Sequence, residues 1–258
     1  YTVAGALGPV SLSMGDGFAL LVTPDGRLFN WGWDFRGQLG QGNNGLNVLA
    51  PGVSRLTGVV AAGAGDETAW TSLIDGTLWG SGFNINGELG TGGAGSVNTP
   101  VLFPGVQHAR SLSGGSFHSM AATQDGTVYA WGNNGRGQFG DGTTQASAVP
   151  KSIMGGVTAV AANGEHTLFL KSDGTVWGAG LNTSGQLGDG TGVNRSTPVQ
   201  MSGITNAVAI SAGMSHSVVL LADGTVRAVG AGQRLGDGST GTKSTPVMVS
   251  GLTGVVAI

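Results

Sequence analysis

The sequence predicts an all-β fold: a β-propeller of five tandem, four-stranded blades forming a single domain over residues 1–258. Three observations carry that prediction. The dipeptide Asp-Gly recurs at Asp25-Gly26, Asp75-Gly76, Asp125-Gly126, Asp173-Gly174 and Asp223-Gly224, in steps of 50, 50, 48 and 50 residues. A second motif keeps the same step, reading Gly-Gln-Leu-Gly at Gly37–Gly40 and at Gly185–Gly188, with Gly-Glu-Leu-Gly at Gly87–Gly90 and Gly-Gln-Phe-Gly at Gly137–Gly140. The segments between these motifs are short β-rich runs, and none sustains a helical period. Repeats of about fifty residues with four strands each match a propeller blade, because one such sheet has two apolar faces and must be stacked on others to bury both.

The fourth copy shows the elements in order. His166–Leu170 reads as a strand, Ser172–Thr175 as a turn and Val176–Gly180 as a second strand. Asp-Gly between two such runs marks a tight hairpin, whose turn needs positive φ. A structured loop rich in Gly and Asn follows. Pro198–Met201 is expected to be a short edge strand with Pro at its first position, since Pro has no N–H for a ladder. Ala207–Ile210 closes the unit as a strand of small buried residues. Ala61, Ala62, Ala161, Ala162, Ser211 and Ala212 suit the crowded inner strands near the axis, and Trp79, Tyr129 and Trp177 the wider space further out. The repeats run approximately over 10–58, 59–106, 107–156, 157–206 and 207–258. The fifth departs: six steps separate Gly230 from Gly236 where the fourth has eight from Gly180 to Gly188, and it reads Gln233-Arg234-Leu235-Gly236.

The two ends carry the same strand type. Val255-Val256-Ala257-Ile258 falls in the column of Val59-Val60-Ala61-Ala62, and Val10-Ser11-Leu12 falls in nearly that column. Two expectations follow: a closed five-bladed ring with a redundant strand, or part of a seven-bladed propeller or longer array. The chain begins Tyr1-Thr2-Val3, with neither Met nor a signal peptide, as a processed mature chain or an excised fragment would.

Composition narrows the function. Gly supplies 51 of 258 residues without a collagen period, and apolar residues make up 40%, enough for a packed core. Charged residues are only 10% and the net charge is −3, with no stretch collecting Lys or Arg. A nucleic-acid partner would call for such a stripe, so none is expected. No run of eighteen apolar residues occurs, so no membrane-spanning helix is expected. There is no Cys, which excludes disulfides and thiol chemistry. Sparse charge with much Gly, Ser, Thr and Asn leads to the expectation of an extracellular or cell-surface protein.

The unit Gly-x-x-His-Ser/Thr-x-x-Leu-x-x-Asp-Gly-Thr-Val-Trp-x-x-Gly-x-Asn-x-x-Gly-Gln-Leu-Gly-Asp-Gly, carried almost whole from Gly164 to Gly190, resembles the regulator-of-chromosome-condensation (RCC1) repeat. The resemblance covers the chain from about Val10 to Ile258. Kelch and WD repeats fit less well: the double Gly with spaced Tyr and Trp of one and the repeat-terminal Trp-Asp of the other are missing. The resemblance implies a propeller, usually of seven blades, that engages protein partners through a face. Its eukaryotic founder is an exchange factor for a small GTPase that docks on chromatin, and its bacterial relatives include secreted proteins, among them an inhibitor of a secreted hydrolase. Fold alone does not choose among these uses.

Most residues that draw the eye serve the repeat. Seven positions before each Asp of the turn stand Phe18, Thr68, His118, His166 and His216. Three His could converge on a metal, but two of the five positions are not ligands and no carboxylate accompanies them, so His rings that satisfy backbone groups between blades are expected instead. Asp141, Asp189 and Asp237 read as turn residues, because one carboxylate per loop is too few for calcium. Gln38, Glu88, Gln138, Gln186 and Gln233 are expected to hydrogen-bond loop backbone. His118-Ser119, His166-Thr167 and His216-Ser217 are neighbours on a strand and point to opposite faces, so they form no nucleophile–base pair. Asp66, Glu67 and Glu165 are scattered carboxylates. No cofactor or metal is expected.

The functional signal lies where copies differ, because repeat positions explain fold and variable loops are free for recognition. The loop before Gly-Gln-Leu-Gly reads Trp33-Asp34-Phe35-Arg36 and Phe83-Asn84-Ile85-Asn86 in the first two copies, against Asn133-Asn134-Gly135-Arg136 and Leu181-Asn182-Thr183-Ser184 in the next two. Trp33, Phe35, Arg36, Phe83, Ile85, Asn86 and Arg136 are the candidate interface for a protein partner or for a neighbouring subunit of a homo-oligomer, since Trp, Phe and Arg are typical interface anchors. Packing between adjacent loops would also explain the apolar residues. The expected function is a non-enzymatic binding or structural scaffold. The rivals are a soluble regulator, inhibitor-like or exchange-factor-like, and a hydrolase or lyase with its site at the channel mouth.

Overall fold

The computed structural model describes residues 11–42, 45 and 47–258; Val10, at the head of the expected end strand, lies outside them. Five antiparallel sheets follow one another along the chain, each ordered as its four strands occur in sequence. Blade one holds β1 (Ser11–Met14), β2 (Phe18–Val22), β3 (Arg27–Gly32) and β4 (Val48–Thr57). Blade two holds β5 (Val59–Ala64), β6 (Thr68–Leu73), β7 (Leu78–Gly82) and β8 (Val97–Phe103). Blade three holds β9 (Ala109–Gly114), β10 (His118–Thr123), β11 (Val128–Gly132) and β12 (Ser147–Met154). Blade four holds β13 (Val157–Asn163), β14 (His166–Lys171), β15 (Val176–Gly180) and β16 (Arg195–Gln200), and blade five β17 (Ala207–Ala212), β18 (His216–Leu221), β19 (Val226–Gly230) and β20 (Lys243–Met248).

The Asp-Gly turns fold as the dipeptide requires. Gly126 has φ +86°, its N–H donates to Thr123 O, and the Asp125 carboxylate accepts from the Thr127 N–H and from the Thr123 hydroxyl. These bonds hold the Asp125 carboxyl below its ordinary range, the Thr123 hydroxyl first among them. The outer strands correct one expectation. Pro198 is not the first residue of its strand but the fourth, because β16 begins at Arg195. The register between Gly178 and Gly180 is shifted where Pro198 stands, and β16 is an edge strand, so its missing N–H leaves no ladder bond unmade.

The first strand of each blade lines a central channel, with Leu12, Ala64, Ser113, Ala161 and Ser211 on its wall. Neighbouring inner strands pack on one another in the pairs β1/β5, β5/β9, β9/β13 and β13/β17. Serines stitch them: Ser13 Oγ accepts from Ala64 N at 2.9 Å, Ser111 Oγ from Val160 N at 3.1 Å and Ser113 Oγ from Ala162 N at 3.0 Å. Further out the blades are joined by apolar clusters. Trp70 meets Trp131 edge-on at 6.3 Å and Phe103 lies 4.6 Å from Trp131, locking blade two against blade three. Such aromatic pairs add about 0.5–1.5 kcal/mol beyond the area they bury.

The expected redundant end strand does not form. Val255 N donates to Gly224 O just as Val59 N does to Gly26 O, yet residues 255–258 pair with no sheet, and β1 already supplies the inner strand of blade one.

Candidate functional site

Topology gathers the loops of interest at one end of the molecule. In every blade the turn before the second strand and the loop after the third strand lie at the same end, because those strands pair from Phe18↔Gly32 in blade one to His216↔Gly230 in blade five. The Asp-Gly turns lie at the opposite end. On the first of these faces Trp33 and Phe35 are exposed at 46% and 56% and touch each other, with ring centroids 5.9 Å apart. Trp33 lies over Gly17, where a Cβ would come within 2.4 Å of the indole; Gly17 also has φ +75°, so no other residue fits beneath the ring. Arg36 bridges to blade two: its guanidinium stands 5.2 Å from the centroid of the Phe83 ring, and its Nε donates to Glu67 Oε2 at 3.3 Å. Ile85 is 61% exposed in the same loop of blade two.

Beneath this surface the loop is held rigidly. Asn84, Asn134 and Asn182 are buried, and each Oδ1 accepts the N–H of the residue before the second Gly of the motif, at 2.8 Å from Leu89, 3.0 Å from Phe139 and 2.9 Å from Leu187. The Nδ2 of Asn182 donates to Asp189, Thr191 O and Val193 O. Blade one has Asp34 instead. Its Oδ1 accepts from Leu39 N at 2.8 Å, but its buried Oδ2 has no partner, and burial pushes the carboxyl up. Replacing Asp34 by Asn is therefore expected to raise stability near neutral pH by about 1–2 kcal/mol, read as a shift in urea midpoint. The gain should shrink in acid, where Asp34 takes up its proton; an unchanged midpoint would show that solvent already satisfies Oδ2.

A family model described as RCC1-like domain matches residues 2–258. The chain belongs to the RCC1-like domain family. Among solved structures, human WBSCR16 is 24% identical with a TM-score of 0.82, covering 96% of this chain and 69% of that one. Prp20p from Saccharomyces cerevisiae is 19% identical with a TM-score of 0.78 over 94% of this chain, which spans 63% of the Prp20p chain. Prp20 bound to Kap60 gives the same identity and score. At such identities the likeness speaks for the fold. No curated protein matches the chain.

Within this RCC1-like domain the candidate residues divide. Trp33 packs on Phe35, and the next residue, Arg36, crosses to Phe83 in blade two, whose loop also carries the exposed Ile85. Asn86 is tied down instead, its N and Nδ2 both donating to the Glu88 carboxylate. Arg136 stands apart in blade three, where its Nε meets Glu165 Oε2 at 3.3 Å. It repeats the Arg36–Glu67 pair two blades on and is not joined to the aromatic cluster. The Gln column does bond loop backbone: Gln38, Gln138 and Gln186 accept from the N–H groups of Arg36, Arg136 and Ser184. In blade five the residue before Leu235 is Arg234, at the end of a 3-10 turn spanning Gly232–Arg234, so Gln233 does not fill that place. Asp141, Asp189 and Asp237 brace their own loops through Lys151, Arg195 and Lys243.

The His column needs a correction in detail. His118 and His166 are fully buried between blades, and their Nε2 atoms meet side-chain hydroxyls, Thr167 Oγ1 at 2.8 Å and Ser217 Oγ at 3.0 Å, while His166 also has a backbone partner in Asn163. One residue escaped sequence reasoning. Phe117, 45% exposed, occupies in blade three the place that Glu67 and Glu165 hold in blades two and four. Arg36 and Arg136 each reach that place in the next blade, so by its column Phe117 belongs to the same loop face as the 83–86 loop. The sequence signal was an aromatic residue in a column otherwise occupied by Gly, Glu and Ser.

Proposed function

We propose that this chain is a non-enzymatic binding scaffold, and that the loop face of blades one and two seats a protein partner. The carrying observation is the exposed strip Trp33–Phe35–Ile85, with Phe117 on the same face, whose loops are braced from beneath. Rigid aromatic anchors lose little entropy on binding, which is why they dominate interface energies. The cationic Arg36 is engaged by Glu67 and Phe83, so the strip is apolar in character and suits an apolar or aromatic protein surface. The family supports protein binding: Prp20p is described with its binding to Gsp1p and histones, and yeast RCC1 is seen bound to Kap60. Those partners make a soluble protein regulator the finer form of this reading. Glu67 and Glu165, which a hydrolytic site would need free, are each held by an arginine of the preceding blade. The scarcity of charge supports a place at the cell surface or outside the cell.

The test compares the chain with its Trp33→Ala/Phe35→Ala variant. Sedimentation reports self-association, and affinity capture followed by titration with each captured protein reports heterologous binding. Loss of two anchors is expected to weaken the complex by about thirtyfold or more, the effect of roughly 2 kcal/mol per hot spot partly offset by non-additivity. Equal affinity for both chains, with unchanged circular dichroism, would remove this face as the interface.

A further inference from the structure

The end of the molecule that carries the Asp-Gly turns holds a cleft of about 550 Å³ beside blade three. Residues that the repeat does not dictate gather in it. Gln107 stands where Thr57, Gly155 and Thr205 stand in the other blades, and His108 where Gly58, Gly156 and Asn206 stand. Gln124 and Tyr129 come from columns that differ from blade to blade, and such positions are free for recognition.

The backbone alone would favour glycine at His108. Gly58 and Gly156 hold that place with φ +68° and +74°, and His108 takes it at φ +52°. Among the described residues it is the sole non-glycine with positive φ. A side chain in that conformation costs energy, and residues that bear such a cost cluster where a ligand uses them. His108 is also held in place. Its N–H donates to Gly76 O at 2.9 Å and its carbonyl accepts from Gln124 N at 3.0 Å, which ties it to the turns of blades two and three. Its imidazole lies on Gly76, where a Cβ would come within 2.4 Å of the ring.

The polar groups of the cleft are uncommitted. Among the described residues the Gln107 and Gln124 amides and the Tyr129 hydroxyl make no hydrogen bond. In the same column Trp79 and Trp177 spend their indole N–H groups on Thr77 and Thr175. The Asp125 carboxylate is engaged through Oδ1, which leaves it lone pairs to offer. Tyr129 is half-buried and packs on the apolar cluster between blades two and three, so its ring is a fixed wall. Among the described residues no Lys or Arg lines the cleft, so an anion meets no countercharge. One carboxylate is too few for a metal, and one aromatic ring too little for a lipid chain. What matches is a neutral molecule with many hydroxyls and one face of C–H groups.

We propose that this cleft binds a neutral sugar ring, with Tyr129 against its C–H face and Gln107, Gln124 and Asp125 on its hydroxyls. Each sugar hydroxyl both donates and accepts, as the two carboxamides do. His108 closes the cleft on the side of blade two. The site lies at the opposite end from the loop face and does not depend on what that face binds.

Methyl glycosides of glucose, galactose, mannose and N-acetylglucosamine, titrated into the isotope-labelled full chain, test it by amide NMR. A ring of about a dozen heavy atoms in an open cleft is expected to bind with a Kd on the order of 1 mM. At least one glycoside should move the amides of Gln107, His108, Gln124 and Tyr129 and leave those of Trp33 and Phe35 in place. Gln124→Ala should weaken that binding by about tenfold, through loss of one hydrogen-bonding side chain. His108→Gly should weaken it by a similar factor while its urea midpoint does not fall, because glycine suits the backbone there. No movement with any of the four glycosides would overturn the proposal. So would binding that both variants leave unchanged, or a lowered midpoint with unchanged binding in His108→Gly, which would reduce His108 to a packing residue. Inorganic phosphate and choline are the charged probes, and movement of the cleft amides at lower concentration with either one would overturn the neutral sugar.

Discussion

Acidification from about pH 7 to about pH 5 is expected to cost the folded chain about 4 kcal/mol, most of it through two residues. His118 and His166 are fully buried, and burial pulls their imidazoles down to about 3 and about 4 from the ordinary 6.5, with the neighbouring His of the next blade adding to the depression. The folded state therefore keeps both rings neutral where the unfolded chain protonates them. Stability from this source is fully present above 6.5 and drains away as pH falls below it, until the folded rings themselves take up protons near 4 and 3. His216 shifts in the same direction, by burial first and then by Arg234. The turn carboxylates lowered by their Thr partners, such as Asp125 and Asp173, begin to contribute only below their ordinary 3.8, so the loss between 6.5 and about 4 belongs to histidine, with Asp34, raised by burial, working in the opposite sense. Urea denaturation in a pH series measures it. The double variant His118→Phe/Thr167→Ala, which copies the pair Phe18 and Ala69, should remove about half of the slope. A flat profile from about pH 7 to about pH 5 would mean that these rings are solvated or already charged in the fold.

Trp131→Ala is expected to destabilise the chain by about 3–5 kcal/mol, the largest effect of any single side chain here. Trp131 is fully buried, packs against Trp70 and Phe103, and donates its indole N–H to Glu88 O in the preceding blade. Its removal opens a cavity between blades two and three and takes one of two hydrogen bonds from Glu88 O, which keeps the one from Ser119 Oγ. Trp131→Phe separates the two causes: it keeps most of the packing and loses the hydrogen bond, for an expected cost of about 1–2 kcal/mol. Hydrogen exchange should show the loss concentrated in β6, β7, β10 and β11. A cost under about 1 kcal/mol for the Ala variant would show that blades two and three are held mainly by their inner strands.

The periodic features are legible in the residues alone. Asp-Gly turns, small inner-strand residues and loop Asn positions are imposed locally, by positive φ, by crowding near the axis and by a loop's own unsatisfied amides, so each recurs wherever the unit recurs. Pro198 shows where local reading slips: no sequence rule says that an outer strand continues past a Pro on both sides, and only the bulge opposite Gly178–Gly180 allows it. The candidate site is legible in part. Phe35 and Ile85 stand out as apolar residues where the next two copies have Gly135 and Thr183, and Trp33 and Phe83 as aromatic ones where they have Asn133 and Leu181. That Arg36 reaches Glu67 and Phe83, that Arg136 does not join the cluster and that Phe117 shares its face depend on which blade follows which in space.

The five repeats, the strands and turns within each, and the columns on which they superpose all follow from dihedral preference and period-two burial within about fifty residues, so the amino-acid order suffices to fix them. What each column touches is a matter of tertiary stacking. His118 against Thr167, His166 against Ser217 and an unengaged His216 read alike along the chain. They differ because a forward-facing side chain finds its partner about fifty residues away in the next sheet, and the nature of that partner is set by stacking and not by its own neighbours in sequence.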